Sequence, residues 1–212
     1  MLEIRILSFL TVICFFGCSP TSTEKPKQIT TKKINYLDIY PEMKGILNGQ
    51  SFDAEGNSWT IIPYTDSTCK IEWTTEKFDR KTNSDFHFHI ARHFESVWDN
   101  LKFKSIRTHT GSDSWFEIYL PLDTNKSEII IENPLARDRG KSLIVSEGLG
   151  DTLVFITNLV TKERKAILEK EFKCESTFWH YCIDSISINN SELYLSLKSV
   201  DKKTKTLRKY KL

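Results

Sequence analysis

Apolar and polar positions alternate through much of the chain after residue 57, and this alternation predicts strands. In ELYLSLKSV (192–200), leucines alternate with Tyr194, Ser196 and Lys198. A period of two places the two sets on opposite faces of a strand, so this run is a half-buried strand. Further β-rich runs occupy residues 58–64, 69–75, 102–109, 115–122, 127–133, 141–147, 151–157, 165–172 and 183–188.

The stretches between these runs carry turn chemistry, as in DAEGN, HTGSDS, LDTNK, EGLGD and INNS. Strands spaced about 8 to 12 residues apart with such turns are typical of sandwiches and barrels. We therefore predict a mainly β fold, an antiparallel sandwich or barrel-like domain of about ten to twelve short strands with at most one or two short helices. A helix is expected at Tyr40 to Leu47, where Pro41 suits the first turn.

The segment DTLVFITNLVTKERKAILEKEF (151–172) predicts a hairpin that turns at Thr161, Lys162 and Glu163. This hairpin resembles one blade of a β-propeller. Because no repeat of about 40 to 50 residues runs through the chain, the sequence does not extend the resemblance to the whole domain.

The segment DFHFHIARHF (85–94) contains three of the five histidines. Read as a strand, it sends the phenylalanines towards the core and His87 and His89 outward together. Read as a helix from Asp85 to Leu101, it brings His89 and His93 onto one face. We favour the strand, followed by a turn near residues 93–95.

Either histidine pair is half of a zinc site, which makes His87, His89 and His93 the alternative metal ligands. The spacing fixes only two ligands, whereas a catalytic site needs a third ligand, an open position and a base. We expect an ordinary amphipathic strand here, with no metal and no other cofactor.

The chain begins MLEIRILSFLTVICFFGCSP, with an apolar run from Ile4 to Phe16 that is shorter than the roughly 20 residues of a bilayer-spanning helix. Such a run suits the apolar region of an export signal. The stretch Phe15-Phe16-Gly17-Cys18 resembles the lipobox of bacterial lipoproteins. The resemblance implies that residues 1–17 are a signal peptide and that Cys18 is acylated, for example with palmitate, and becomes the first residue. An ordinary cleaved signal or a short membrane anchor is the alternative.

Residues 18–33 have the composition of a flexible tether, rich in Ser, Thr, Pro and Lys with Ile29 as the one large apolar residue. Residues 34–212 are long enough to form a single domain with its own core. We therefore expect a domain lipid-anchored in the cell envelope, with the outer membrane favoured, facing the periplasm or the cell surface.

Charges of both signs are interspersed and the net charge is only +2, so the sequence has no footprint for nucleic acid. The C-terminal stretch KSVDKKTKTLRKYKL is the exception, with seven basic residues opposed by Asp201. Lysines along an exposed edge strand prevent edge-to-edge aggregation. We favour that interpretation over a basic patch for a partner.

An exported chain folds in an oxidising compartment, where paired cysteines persist as disulfides. Cys174 and Cys182 lie at the end of one predicted strand and the start of the next, so a bridge between them is expected; a pairing with Cys69 is the alternative. The bridge would hold an aromatic loop for a partner, with these contact candidates: Phe178, Trp179, His180 and Tyr181.

The motifs of hydrolases, nucleotide-binding proteins and zinc proteases are absent from the sequence, so we predict no catalytic residue. The function that the sequence favours is a non-catalytic envelope lipoprotein that binds a protein partner, for instance to neutralise a toxin or support an assembly. The alternative is an envelope hydrolase or a glycan-binding module, which a cleft with convergent carboxylates would favour.

Overall fold

The computed structural model describes residues 36–47, 50–52, 57–111, 114–199 and 203–212. Asn35–Leu212 forms one compact unit. The predicted signal peptide (1–17), the lipidation site Cys18 and the tether (18–33) lie outside the described residues. Among the described residues, no helix has the length and apolar character that crossing a bilayer requires.

Within the described ranges, sixteen strands form four antiparallel sheets, each built largely from strands consecutive in the chain. Sheet 1 contains β1 (Gln50–Phe52), β2 (Ser58–Pro63), β3 (Thr68–Thr74), β4 (Asp79–Lys81) and β5 (Phe86–His87). Sheet 2 contains β6 (Glu95–Asp99), β7 (Phe103–His109), β8 (Trp115–Pro121) and β9 (Ile129–Glu132). Sheet 3 contains β10 (Pro134–Asp138), β11 (Leu143–Glu147), β12 (Thr152–Asn158) and β13 (Arg164–Leu168). Sheet 4 contains β14 (Ile183–Asn189), β15 (Glu192–Lys198) and β16 (Lys205–Lys211).

The predicted mainly β antiparallel class is confirmed. The strands are more numerous than predicted: β1 and β4 have only three residues, too few to show an alternation, and the five-residue strands β6 and β10 were not among the predicted runs. Among the described residues, three single-turn α-helices accompany them, α1 (Tyr36–Ile39), α2 (Met43–Ile46) and α3 (Phe88–Ala91), and a 3₁₀ turn covers Trp179–Tyr181. The expected helix at Tyr40 to Leu47 is thus the shorter α2.

The sheets stack face to face in chain order, with an apolar cluster at each interface. The first cluster joins sheets 1 and 2 and includes Trp73 and Ile118. The second joins sheets 2 and 3 and includes Tyr119 and Ile144. The third joins sheets 3 and 4 and includes Leu195. No cluster of the described residues joins sheet 4 back to sheet 1. Consecutive up-and-down sheets packed in this way have the strand order of propeller blades.

Turn residues fix the register of the hairpins. β14 and β15 are joined by Asn190 and Ser191, both with positive φ (48° and 66°), as a tight hairpin requires. Gly148 follows β11, and a Cβ there would lie 2.0 Å from the carbonyl oxygen of Thr152. A side chain at Gly148 would therefore force the β11–β12 turn apart.

The predicted hairpin of residues 151–172 is confirmed, since β12 pairs with β13 across the turn 159–163. It forms the outer half of sheet 3. The C-terminal strand β16 pairs only with β15 among the described strands, so it lies at a sheet edge as predicted. Its Lys209 forms a salt bridge with Glu192 at 2.9 Å.

The histidine segment differs from both predictions. The strand β5 ends at His87, α3 follows, and Glu95–Asp99 is again a strand, so neither a strand through residue 91 nor a helix to Leu101 forms. Phe86 and Phe88 are both buried as expected. The single helical turn buries Ala91 as well and lets the chain reverse towards β6. An alternation over so few residues fits a strand and a helix start equally well.

Candidate functional site

The predicted bridge between Cys174 and Cys182 is present, with the two Cα atoms 5.8 Å apart. It closes the segment 174–182, here called the aromatic loop. The alternative partner Cys69 is a free thiol, buried in the core between sheets 1 and 2. Burial, helped by nearby Asp85, raises the pKa of Cys69 to about 12.

The aromatic side chains of this loop are one buried anchor, two half-buried rings and one exposed ring. Trp179 is buried, and its indole N–H donates to the carbonyl oxygen of Gly150 at 2.9 Å. It was predicted as a contact residue, but its own chain covers it. Phe178 stacks on His180 with ring centroids 5.6 Å apart, and Tyr181 lies 4.2 Å from the same imidazole. Tyr181 is 47% exposed, whereas Phe178 and His180 are half-buried beneath and beside it.

Glu147, at the end of β11, clamps the loop onto sheet 3. One of its carboxylate oxygens accepts the backbone N–H of His180 at 2.8 Å, and the imidazole Nδ1 lies 3.1 Å from both oxygens. Asn133 donates its side-chain amide to the same carboxylate at 2.9 Å. A carboxylate on Nδ1 orients an imidazole as in a catalytic dyad. The ring of His180 also packs against the rings of Trp115, Phe178 and Tyr181.

A groove begins at Glu147 and Asn133 and runs between β9 of sheet 2 and the outer strands of sheet 3. Its volume is about 590 Å³. Phe155 lines the wall on sheet 3, and the guanidinium of Arg164 lies 3.6 Å from the centre of its ring. Lys162 lines the same wall, so this side of the groove is basic. The aromatic loop and the groove therefore share Glu147.

A buried ion cluster lies between sheets 2 and 3. Glu117 on β8 is fully buried and accepts hydrogen bonds from Arg107 at 2.9 Å and Tyr119 at 2.7 Å. Arg137 on β10 donates to both of its oxygens. Burial raises the pKa of this carboxyl, but the bonds from Arg137, Tyr119 and Arg107 outweigh it and lower the pKa overall. The carboxylate of Glu117 is therefore ionised, and its bonds to Arg137 connect sheet 2 to sheet 3.

A second cleft contains carboxylates. Its volume is about 520 Å³, and its lining includes Glu76, Asp99 and Asp123 beside Lys77. Asp99 forms a salt bridge with Lys104 at 3.1 Å. The sequence could not show that these three carboxylates line one cleft.

His87 and His89 face each other closely, with their Nδ1 atoms 2.7 Å apart. Burial and then the neighbouring His89 lower the pKa of His87. His93 instead contacts Arg92, whose Nε donates to its Nε2 at 3.0 Å. Within the described ranges, no three His, Cys, Asp or Glu side chains converge on a position that could hold a metal ion.

The sequence pattern does not predict the roles of Glu147 and Glu117, because each has a partner far away in the chain. Arg137 is 20 residues from Glu117, and His180 is 33 residues from Glu147. The one signal for Glu117 is a charged residue inside the apolar run WFEIYLPL.

Comparisons with protein-family models, with curated proteins and with solved structures found no match for this chain.

Proposed function

We propose that this chain is an envelope lipoprotein whose folded domain binds a protein partner and performs no catalysis. Cys18 would carry the lipid, residues 18–33 would hold the domain off the membrane, and the outer membrane is the favoured location. A role in neutralising a toxin or supporting an assembly fits such a domain.

The pre-organised aromatic loop is the observation that carries the proposal. The disulfide closes it, Trp179 anchors it and Glu147 fixes His180, yet Tyr181 remains 47% exposed. Tyrosine presents a large contact area at a small cost in side-chain entropy. A loop that is ordered before binding also loses less conformational entropy when it binds a partner.

Site-specific photo-crosslinking in living cells tests the partner surface. A photoreactive phenylalanine analogue replaces Tyr181 in the full-length lipidated protein. The matched control carries it at Tyr64, a tyrosine 58% exposed at the end of β2 in sheet 1. We expect one discrete cross-linked species from position 181 and none from position 64. No cross-link at 181, or the same products from both positions, would overturn the proposal.

The anchor is tested separately by metabolic labelling with palmitate. The Cys18→Ala variant should lose the label and its membrane association, while a Cys14→Ala control in the apolar run keeps both. Incorporation of palmitate into the Cys18→Ala variant would refute the lipidation.

The carboxylate cleft is the one observation that favours the alternative, an envelope hydrolase or a glycan-binding module. Acidic pairs at such clefts cleave glycosidic bonds. Purified protein assayed on peptidoglycan fragments, with an Asp123→Asn/Glu76→Gln double variant as the control, decides this. Turnover that the double variant abolishes would replace the binding proposal, whereas no turnover by either protein supports it.

A further inference from the structure

The strand β9 presents an unpaired edge to the groove. It hydrogen-bonds to β8 on one side and has no second neighbour among the described strands. The N–H of Asn133 donates to the carbonyl oxygen of Trp115, and bonding alternates along an antiparallel pair. The backbone groups of Ile129 and Ile131 therefore face β8, whereas those of Ile130 and Glu132 face the groove.

The wall of sheet 3 opposite this edge would contact one set of side chains of a strand added beside β9. Ile129 and Ile131 point towards sheet 3, where they pack in the cluster between sheets 2 and 3. In a strand added beside β9, every second side chain would point the same way. Those side chains would meet Phe155, Lys162 and Arg164.

The wall of the groove on sheet 3 carries two positive charges, those of Lys162 and Arg164. Neither Lys162 nor Arg164 forms a salt bridge with any residue that the structure describes. The guanidinium of Arg164 lies over the ring of Phe155 instead. The groove lining contains two acidic side chains, Glu132 and Glu147. Glu147 is already bonded to Asn133 and His180. An incoming carboxylate would meet two cations, Lys162 and Arg164, that lack an acidic partner in the described part of the chain.

We propose that the groove beside β9 binds an extended, acidic segment of the partner protein as an added fifth strand of sheet 2. The segment would place an apolar side chain on Phe155 and carboxylates on Lys162 and Arg164, and its backbone would bond to Ile130 and Glu132. This inference rests on the proposed function and names the chemistry of the partner at the groove adjoining the aromatic loop.

Charge argues against the chain's own tether as the occupant. Residues 18–33 carry four lysines against Glu24, so they are repelled by a basic wall. A second copy pairing through its own β9 would bring the sequence IIIE, which offers a single carboxylate. An acidic strand of another protein fits the wall better.

A binding experiment on the full-length protein in detergent tests this inference. The probe is a fluorescein-labelled peptide, Ser-Val-Thr-Glu-Thr-Glu-Ser, whose valine and glutamates share one face when it is extended. The control peptide has lysines in place of the glutamates. We expect saturable binding of the acidic probe, seen by fluorescence anisotropy, and slower hydrogen exchange at the amides of Ile130 and Glu132.

Two charge reversals on the same strand provide the matched variants. Arg164 points into the groove, whereas Lys165 faces the other side of sheet 3, where its ammonium donates to the carbonyl oxygen of Lys211 at 3.2 Å. Arg164→Glu should weaken binding of the acidic probe about five- to tenfold and improve that of the lysine peptide. Lys165→Glu, with the same change in net charge, should leave both unchanged.

Three results would overturn the inference. They are an absence of saturable binding at millimolar probe, an equal effect of both variants, and a dimer that already protects Ile130 and Glu132 without the probe. The last result would identify a second copy as the occupant. If Tyr181 still cross-links to a partner in cells, strand addition fails while the partner-binding function stands; loss of both refutes the function as well.

Discussion

Glu169 holds the outer end of sheet 3 to the C-terminal strand of sheet 4, and we predict that its charge stabilises the fold. Its nearly buried carboxylate accepts the Nε–H of Arg208 on β16 at 2.6 Å. It also accepts the backbone N–H groups of Glu171 at 2.9 Å and Phe172 at 3.0 Å. Burial raises the pKa of Glu169, but the bonds from Arg208 and from these two amides outweigh it and lower the pKa to about 2.

The size of the effect follows from linkage. A fall in pKa from 4.5 to about 2 on folding corresponds to about 3 kcal/mol for the ionised form. Solvent around Arg208 screens the pair and reduces this to about 2 kcal/mol. Because the folded-state pKa of Glu169 is the lower one, this stability is complete above pH 4.5 and is lost as the pH falls towards 2.

The perturbation is Glu169→Gln, which removes the charge and keeps the size. We expect the free energy of unfolding in urea to fall by about 2 kcal/mol at pH 7. At pH 3 the difference from the wild type should shrink to about half or less. Tryptophan fluorescence and far-ultraviolet circular dichroism report the two unfolding curves.

The control is Glu171→Gln, two residues away. Glu171 also bonds to Arg208, at 3.0 Å, but its side chain is 85% exposed. This variant should lose no more than about 0.5 kcal/mol at either pH. A loss in Glu169→Gln that is the same at pH 7 and pH 3, or one that Glu171→Gln matches, would refute the reasoning.

Three further predictions concern the core and the aromatic loop. Replacing Cys174 and Cys182 with serine should lower the free energy of unfolding by about 2–3 kcal/mol, because the bridge closes a short loop. The replacement should also speed proteolysis at Tyr181, and proteolysis at the wild-type rate contradicts the anchoring role. Cys69, whose pKa is raised by burial to about 12, should resist alkylation at pH 8 until the protein unfolds, and mass spectrometry of iodoacetamide-treated native protein checks this. Glu117→Gln should lower the free energy of unfolding in urea by about 3–5 kcal/mol, since it leaves Arg107 and Arg137 without a counter-charge. A decrease below about 1 kcal/mol would show that the cluster is dispensable.

The sequence determined the elements that depend on local pattern. The alternation in 192–198 and the turn at Asn190 and Ser191 specify a hairpin, because period and turn conformation are properties of neighbouring residues. The hairpin of β12 and β13 and the edge position of β16 follow from the same kind of signal. The bridge between Cys174 and Cys182 was predictable because only seven residues separate the two thiols along the chain.

Only the tertiary structure decided how the sheets stack and which charges meet. Residues 85–91 alternate like a strand, yet only Phe86–His87 form one, and packing of Phe88 and Ala91 against sheets 1 and 2 accompanies one helical turn at residues 88–91. The groove exists because β9 ends sheet 2 while the outer strands of sheet 3 continue beyond it. Glu117 bonds to Arg137 on a strand of the next sheet and Glu147 bonds to His180 of the aromatic loop, and contacts between residues so far apart in the chain leave no periodic trace in one strand. Local pattern therefore specifies strands and turns, whereas contacts between distant strands create the ion cluster, the loop clamp and the groove.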